Sequence, residues 1–254
     1  NFHYKLARKA QEGEPGYHYA RLTAYDAVDG GVISLEEVES AKRMHADHVF
    51  RELFMCEPSD DGGNPFGLEA IDQCVAAKST GQAVVFGVDY ARVHDWSVII
   101  GLDRSGNVCH YERFRAAPAQ TIERVARVVG GTPGFFDATG PGDFLVEGFA
   151  RGGAPNLAPR VYTNANKQQM MESLAVALQS RMVGIIDGPL KSELESFEYK
   201  FNPTTRRITF NAPPGSHDDC VNGLALAWAA GCQHYAMHVH RGPAPSVPAV
   251  ARSV

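Results

Sequence analysis

The chain has 254 residues, 44% hydrophobic and 21% charged, with a formal net charge of −5. That composition suits a globular fold with a sizeable core, and no apolar run approaches the length of a membrane span. It lacks an overall basic signature for nucleic acid, so any such footprint must be a local patch.

The N-terminus does not read as a signal peptide. Residues 1–57 read as mostly helical: Ser34 followed by Glu36 and Glu37 makes a good helix start, and the spacing predicts one or two amphipathic helices over Ile33–Phe54. "EPSDDGGNPFG" (Glu57–Gly67) is a cluster of breakers and the best linker candidate. "AVVFGVDYA" then reads as a buried strand with Asp89 at its centre, "WSVIIGLD" as a second strand, "RSGN" as a turn and "VCHYERF" as a third strand, which makes an antiparallel meander. "PAQTIERVARVVGG" is an amphipathic helix ended by glycine, "GFFD" a short strand closing on Asp137, "GDFLVEGFARGG" a helix, "RVYT" a strand and Asn166–Val183 a long helix. Phe197–Gly215 reads as a hairpin, and Ser216–Ala236 as a helix with acids in its first turn. The tail "RGPAPSVPAVARSV" has the composition of a disordered segment. Five cysteines (Cys56, Cys74, Cys109, Cys220, Cys232) show no CxxC spacing, which favours a reducing compartment and argues against a cysteine zinc site.

Three antiparallel strands leading into alternating β and α units predict an α/β class, a mixed sheet flanked by helices with an added hairpin. The connectivity resembles the ribonuclease H-like fold.

Four acids need an explanation. Asp89 lies in an apolar strand, Asp137 at a strand end, and Asp218 and Asp219 at a helix start. Ligand sites in open α/β sheets gather where strand ends meet helix starts. Carboxylates converging there repel unless a cation intervenes, and hard ions such as Mg²⁺ or Mn²⁺ take oxygen ligands. Two ions about 3.5–4 Å apart suit phosphodiester hydrolysis. On this reading Asp89 bridges both ions, Asp137 holds one and Asp219 or Asp218 the other. The plainer alternatives are a helix cap for Asp218 and Asp219 and a turn role for Asp137.

The stretches "FGVDYARVHDWSVIIGLD", "FFDATGPGD" and "APPGSHDDCVNGLALA" resemble the three acidic motifs of the nuclease domain of tailed-bacteriophage large terminase subunits, the genome-packaging motors. "NKQQMMESLAVALQSRMVGIID" resembles that family's helix and strand after the second motif, and the first 27 residues resemble the segment joining its ATPase core to the nuclease. The resemblance covers roughly residues 1–235, with "HDDCVNGLALA" its most specific piece. It implies a two-metal (Mg²⁺ or Mn²⁺) endonuclease that cuts concatemeric viral double-stranded DNA in the host cytoplasm. It also implies an ATPase domain, a small terminase subunit and a portal protein as partners, and no membrane. No GxxxxGK[ST] pattern occurs, so packaging belongs to a longer parent chain. The expected division is residues 1–66 as a helical linker, 67–236 as the nuclease and 237–254 as the tail.

His217, His94 and Asp95 are candidates for supporting the metal shell; Arg206, Arg207 and Lys167 are candidates for DNA phosphate. His234, His238 and His240 lack a third ligand in a zinc pattern and read as incidental. Other ribonuclease H-like enzymes, such as a Holliday-junction resolvase or a transposase-type nuclease, could use the same acids, but would leave the N-terminal helices and the hairpin unexplained. An actin-like phosphate loop expects a DxG turn, whereas Asp89 is followed by Tyr90 and Ala91.

Overall fold

A computed structural model describes residues 9–44, 47–57, 63–91, 96–139, 142–202 and 207–237. The N-terminal part holds α1 (Ala24–Asp29), α2 (Leu35–Met44) and α3 (Asp47–Phe54). Ser34 and Glu37 exchange the reciprocal hydrogen bonds of a capping box ahead of α2, as the Ser34 start predicts. Val38, Ala41 and Phe50 bury a small core of their own there. Tyr199, in the hairpin described below, donates its hydroxyl hydrogen to Glu52 on α3.

After α4 (Leu68–Cys74) come β1 (Val85–Asp89), β2 (Ser97–Leu102), β3 (Val108–Phe114), α5 (Pro118–Val129), β4 (Gly134–Asp137), α6 (Gly142–Gly152), β5 (Leu157–Arg160), α7 (Asn164–Gln179) and α8 (Pro189–Ser196). The hairpin β6 (Glu198–Asn202) and β7 (Arg207–Asn211) leads into α9 (Asp219–Tyr235). The sheet order is β3-β2-β1-β4-β5, with β1–β3 antiparallel and β1, β4 and β5 parallel. This is the mixed α/β architecture expected from the sequence, with the hairpin as a separate two-stranded unit.

Four sequence expectations move. Asp89 is the last residue of β1, not its centre: Ser97 Oγ captures the Ala91 N–H (3.1 Å), which takes the chain out of the ladder. The strand expected at "RVYT" lies earlier, at Leu157–Arg160, because parallel pairing with β4 sets Asp137 opposite Arg160. The long helix is shifted toward its N-terminus: it begins at the Thr163–Asn166 capping box and ends at Gln179, and Arg181 then turns out at positive φ. Gly184 and Ile185 make only isolated bridges, to Asn107 and Val75. Phe66 is fully buried and stacks on Phe197 (centroids 5.5 Å apart). Asn64 anchors that stretch, donating to the Leu194 and Glu195 carbonyls.

Helices cover both faces of the sheet. Phe86, Val88, Ile99 and Phe136 pack against α5 and α6, while Val85, Val98, Ile100 and Phe135 pack against α7 and α9. Strand alternation therefore turns Gly87 and Asp89 toward α9. Gly87 is required for that contact: a Cβ there would overlap the Gly223 carbonyl oxygen and the Ala227 amide nitrogen. Both are main-chain atoms of a buried helix, and no rotamer change can make room.

Gly87→Ala is therefore expected to destabilise the protein by about 3 kcal/mol or more, at the severe end of overpacking. Denaturant unfolding of the variant beside the parent chain measures this, and a loss below about 1 kcal/mol would show that α9 can shift.

Candidate metal centre

The close seating of α9 on β1 brings three chain segments to one end of the sheet. Asp89 is 8% exposed and carries a hydrogen bond from Asn222 Nδ2 to its Oδ2 (3.3 Å). Asn222 lies one helical turn beyond Asp218 and Asp219, so it looks out from the same side of α9. Burial, then the charges of Asp137, Asp219 and Asp218, push the Asp89 carboxyl well above the usual carboxylate range; the Asn222 amide acts in the opposite direction. The four acids identified from sequence thus face a common space. Among the described residues, no three His, Cys, Asp or Glu side chains stand close enough together to enclose an ion.

The plainer roles can be weighed directly. Asp218 occupies the N-cap position of α9 but makes no side-chain capping hydrogen bond. The helix start is satisfied from α8 instead: Glu193 Oε2 accepts the Cys220 N–H (2.7 Å), and its Oε1 pairs with Arg113 Nη2 (3.0 Å). A buried anion behind the helix N-terminus thus does the work a capping Asp218 would have done. Asp137 does hold a turn, accepting the Thr139 N–H on Oδ1 (2.8 Å).

The remaining sequence candidates divide. Lys167, in the first turn of α7, is brought to the acids: its Nζ is 3.5 Å from Asp218 Oδ2 and donates to Asn211 Oδ1 (3.4 Å). His217 Nδ1 lies 3.5 Å from Asp219 Oδ2. Arg207 opens β7 opposite Asn202. His94, Asp95 and Arg206 lie outside the described residues, as do His238 and His240, while His234 packs near the Phe135 ring.

Two site residues escape sequence reasoning. Asn222 could have been found by helical spacing from Asp218 and Asp219. Tyr162 carries no such signal, because it sits in an apolar stretch just past β5. Its N–H donates to Thr139 Oγ1 (3.0 Å) and its ring lies 5.7 Å from Lys167 Nζ. Its hydroxyl oxygen is buried without a hydrogen-bond partner, while the residue as a whole is half-buried. Burial and the charges of Asp89, Asp137 and Asp218 push its ionisation far above the ordinary phenol range, so it remains a neutral donor. The Asn222 Oδ1 atom is likewise buried with no partner.

This donor set fits hard divalent cations. It offers carboxylate oxygens, with the buried Asp89 pressed by the charges of the other three acids, beside a buried amide oxygen that lacks a donor. Asp89, Asp137, Asp218 and Asp219 could serve as ligands, with Asn222 orienting Asp89 from behind.

The raised Asp89 carboxyl sets a pH dependence for the protein kept free of divalent ions. Folding retains a proton that the unfolded chain releases near pH 3.9, so stability falls as pH rises from about 3.9 through the raised folded value. Asp89→Asn is expected to remove that fall and to melt above the parent chain at neutral pH in chelator. Tyr162→Phe, which deletes an unpartnered buried hydroxyl, is expected to be neutral or stabilising by about 1 kcal/mol under the same conditions. Thermal melts across pH check both.

No family model and no curated protein matches this sequence. Solved structures do match. The large terminase nuclease from thermophilic phage G20c with bound magnesium aligns at TM-score 0.56 and 22% identity, covering 68% of this chain and 98% of that one. Its cobalt-bound form gives the same values. The large terminase nuclease domain of Thermus phage P74-26 aligns at TM-score 0.53 and 21% identity, covering 63% of this chain and 93% of that one. The fold of this chain is that of the large terminase nuclease domains, a mixed α/β sheet flanked by helices as its element order predicts.

Proposed function

We propose that this chain is a divalent-metal-dependent endonuclease of the terminase type, cutting concatemeric viral double-stranded DNA during genome packaging. One observation carries the reading. A buried carboxylate, Asp89, faces three further acids at the strand-end, helix-start position of a terminase-nuclease fold, with an amide as its hydrogen-bond donor. Nuclease structures of that fold solved with magnesium, cobalt and zinc support a divalent requirement.

In this mechanism Asp89, Asp137 and the Asp218–Asp219 pair would hold two Mg²⁺ or Mn²⁺ ions. When bound, such ions supply an activated water and stabilise the leaving oxygen. The protein's own groups do the rest. Asn222 fixes the rotamer of Asp89, and Glu193 fixes the start of α9 so that Asp218 and Asp219 point outward. Lys167 balances part of the charge on Asp218. The neutral Tyr162 hydroxyl can donate to an oxygen held among the acids. Residues 1–66 would join this domain to an ATPase domain, with a small terminase subunit and a portal protein as further partners in the host cytoplasm. Arg206 and Arg207 would meet DNA phosphate.

Cleavage of supercoiled plasmid in Mg²⁺, Mn²⁺ or EDTA tests the reading. Cutting is expected to need the metal and to vanish in Asp89→Ala, Asp137→Ala and Asp219→Ala, with a milder loss in Asp218→Ala. Asn222→Ala is expected to lose about 10–100-fold in metal affinity or rate, as for other partners that orient a ligand. Undiminished cutting by Asp89→Ala would overturn the site. A strong preference for branched over plain duplex DNA would move the function to a resolvase type.

A further inference from the structure

The acid cluster repels DNA, and two basic groups beside it among the described residues are already engaged. Lys167 is paired with Asp218, and Arg160 donates to Gln233 while lying over the Phe135 ring (3.8 Å to the centroid). On the other side of Asp89 the sheet offers something different. Asp89 pairs with Val98, and Val98 with Arg113, so Arg113 stands two strands away. At a strand spacing of about 4.8 Å, that is about 10 Å.

Alternation puts Trp96, Val98, Arg113 and Asp89 on the same face and at the same end of the sheet. The Arg113 guanidinium lies over the Trp96 ring at 4.5 Å from its centroid, and that of Arg115 at 4.2 Å. The indole thus contacts two guanidinium groups. Arg113 is largely covered and is neutralised by Glu193, with its Nε buried and unbonded. Arg115 is exposed and has no acidic partner among the described residues. A cleft of about 460 Å³ opens beside the stack, lined by Trp96, Tyr111, Arg113 and Pro189 among others.

We propose that Arg115, held on Trp96 with Arg113, is a phosphate-binding subsite that carries the DNA backbone toward the acid cluster. The inference rests on the endonuclease reading for its ligand. Successive phosphates of one strand rise 3.4 Å along the duplex axis, and Arg115 lies two residues beyond Arg113, about 12 Å from Asp89 between main chains, so this contact is within about four phosphates of the bond at the acids. Arginine is well matched to phosphate, because its planar fork binds the oxygens in pairs and the indole orients it beforehand at little entropic cost. The subsite explains how an acidic chain engages a polyanion, with one oriented cation beside the charge that repels it.

The test uses a fluorescent DNA duplex and the Asp89→Asn background in Mg²⁺, with affinity read by anisotropy over a salt series. Arg115→Glu is compared with Arg127→Glu, an equal charge change at an exposed site near the end of α5. The expected result is about a tenfold loss for Arg115→Glu, with the slope of log affinity against log salt shallower by about 0.9. Arg127→Glu should leave the slope unchanged. Equal behaviour of the two variants, whether both weaken or neither does, would overturn the subsite. Failure of the endonuclease reading is seen separately, as absence of metal-dependent cutting by the parent chain while the Arg115 effect on binding persists.

Discussion

Everything at the candidate centre depends on how closely α9 approaches β1. The approach is possible because residue 87 has no side chain and because the helix presents Gly223 and Ala227 to it. Main chain then lies against main chain, and the positions around the contact lose their freedom. Asp89, two residues along the strand on the same face, is brought to Asn222 on the helix. A larger residue at 87 would leave the same acids in the sequence and separate them in space.

Two opposing electrostatic demands meet at this end of the sheet. The start of α9 needs an anion, and the acids that begin the helix are the obvious suppliers. Glu193 fills that role from behind, with Arg113 holding it in place. Asp218 is thereby excused from capping and turns to Lys167. The arrangement leaves carboxylates crowded together at a cost the protein alone does not offset, and a divalent cation would relieve it.

Much of this was legible beforehand. The third strand falls on the residues expected of it, and the order of the sheet strands and of the acids is as read, because alternation leaves a direct trace in the chain. What escaped was set by tertiary contact. The end of β1 at Asp89 depends on the Ser97 hydroxyl at the start of β2, and the place of β5 on its register with β4. Helix α8, short and begun by a proline, has too few turns to announce itself, yet it carries Glu193. Tyr162 and the Trp96 stack follow from which side chains meet across the fold, and no local pattern encodes that.

The hydrogen bond between Asn222 and Asp89 spans 133 positions of sequence. Closing so long a loop is entropically late, and non-local pairings of this kind slow folding. During synthesis the strands bearing Asp89 and Asp137 emerge well before α9, the last helix among the described residues. Until it docks there is no Asn222 beside Asp89 and no second pair of acids. A half-made chain therefore has its sheet strands but not its centre, and whatever chemistry the centre performs begins only when the fold is closed.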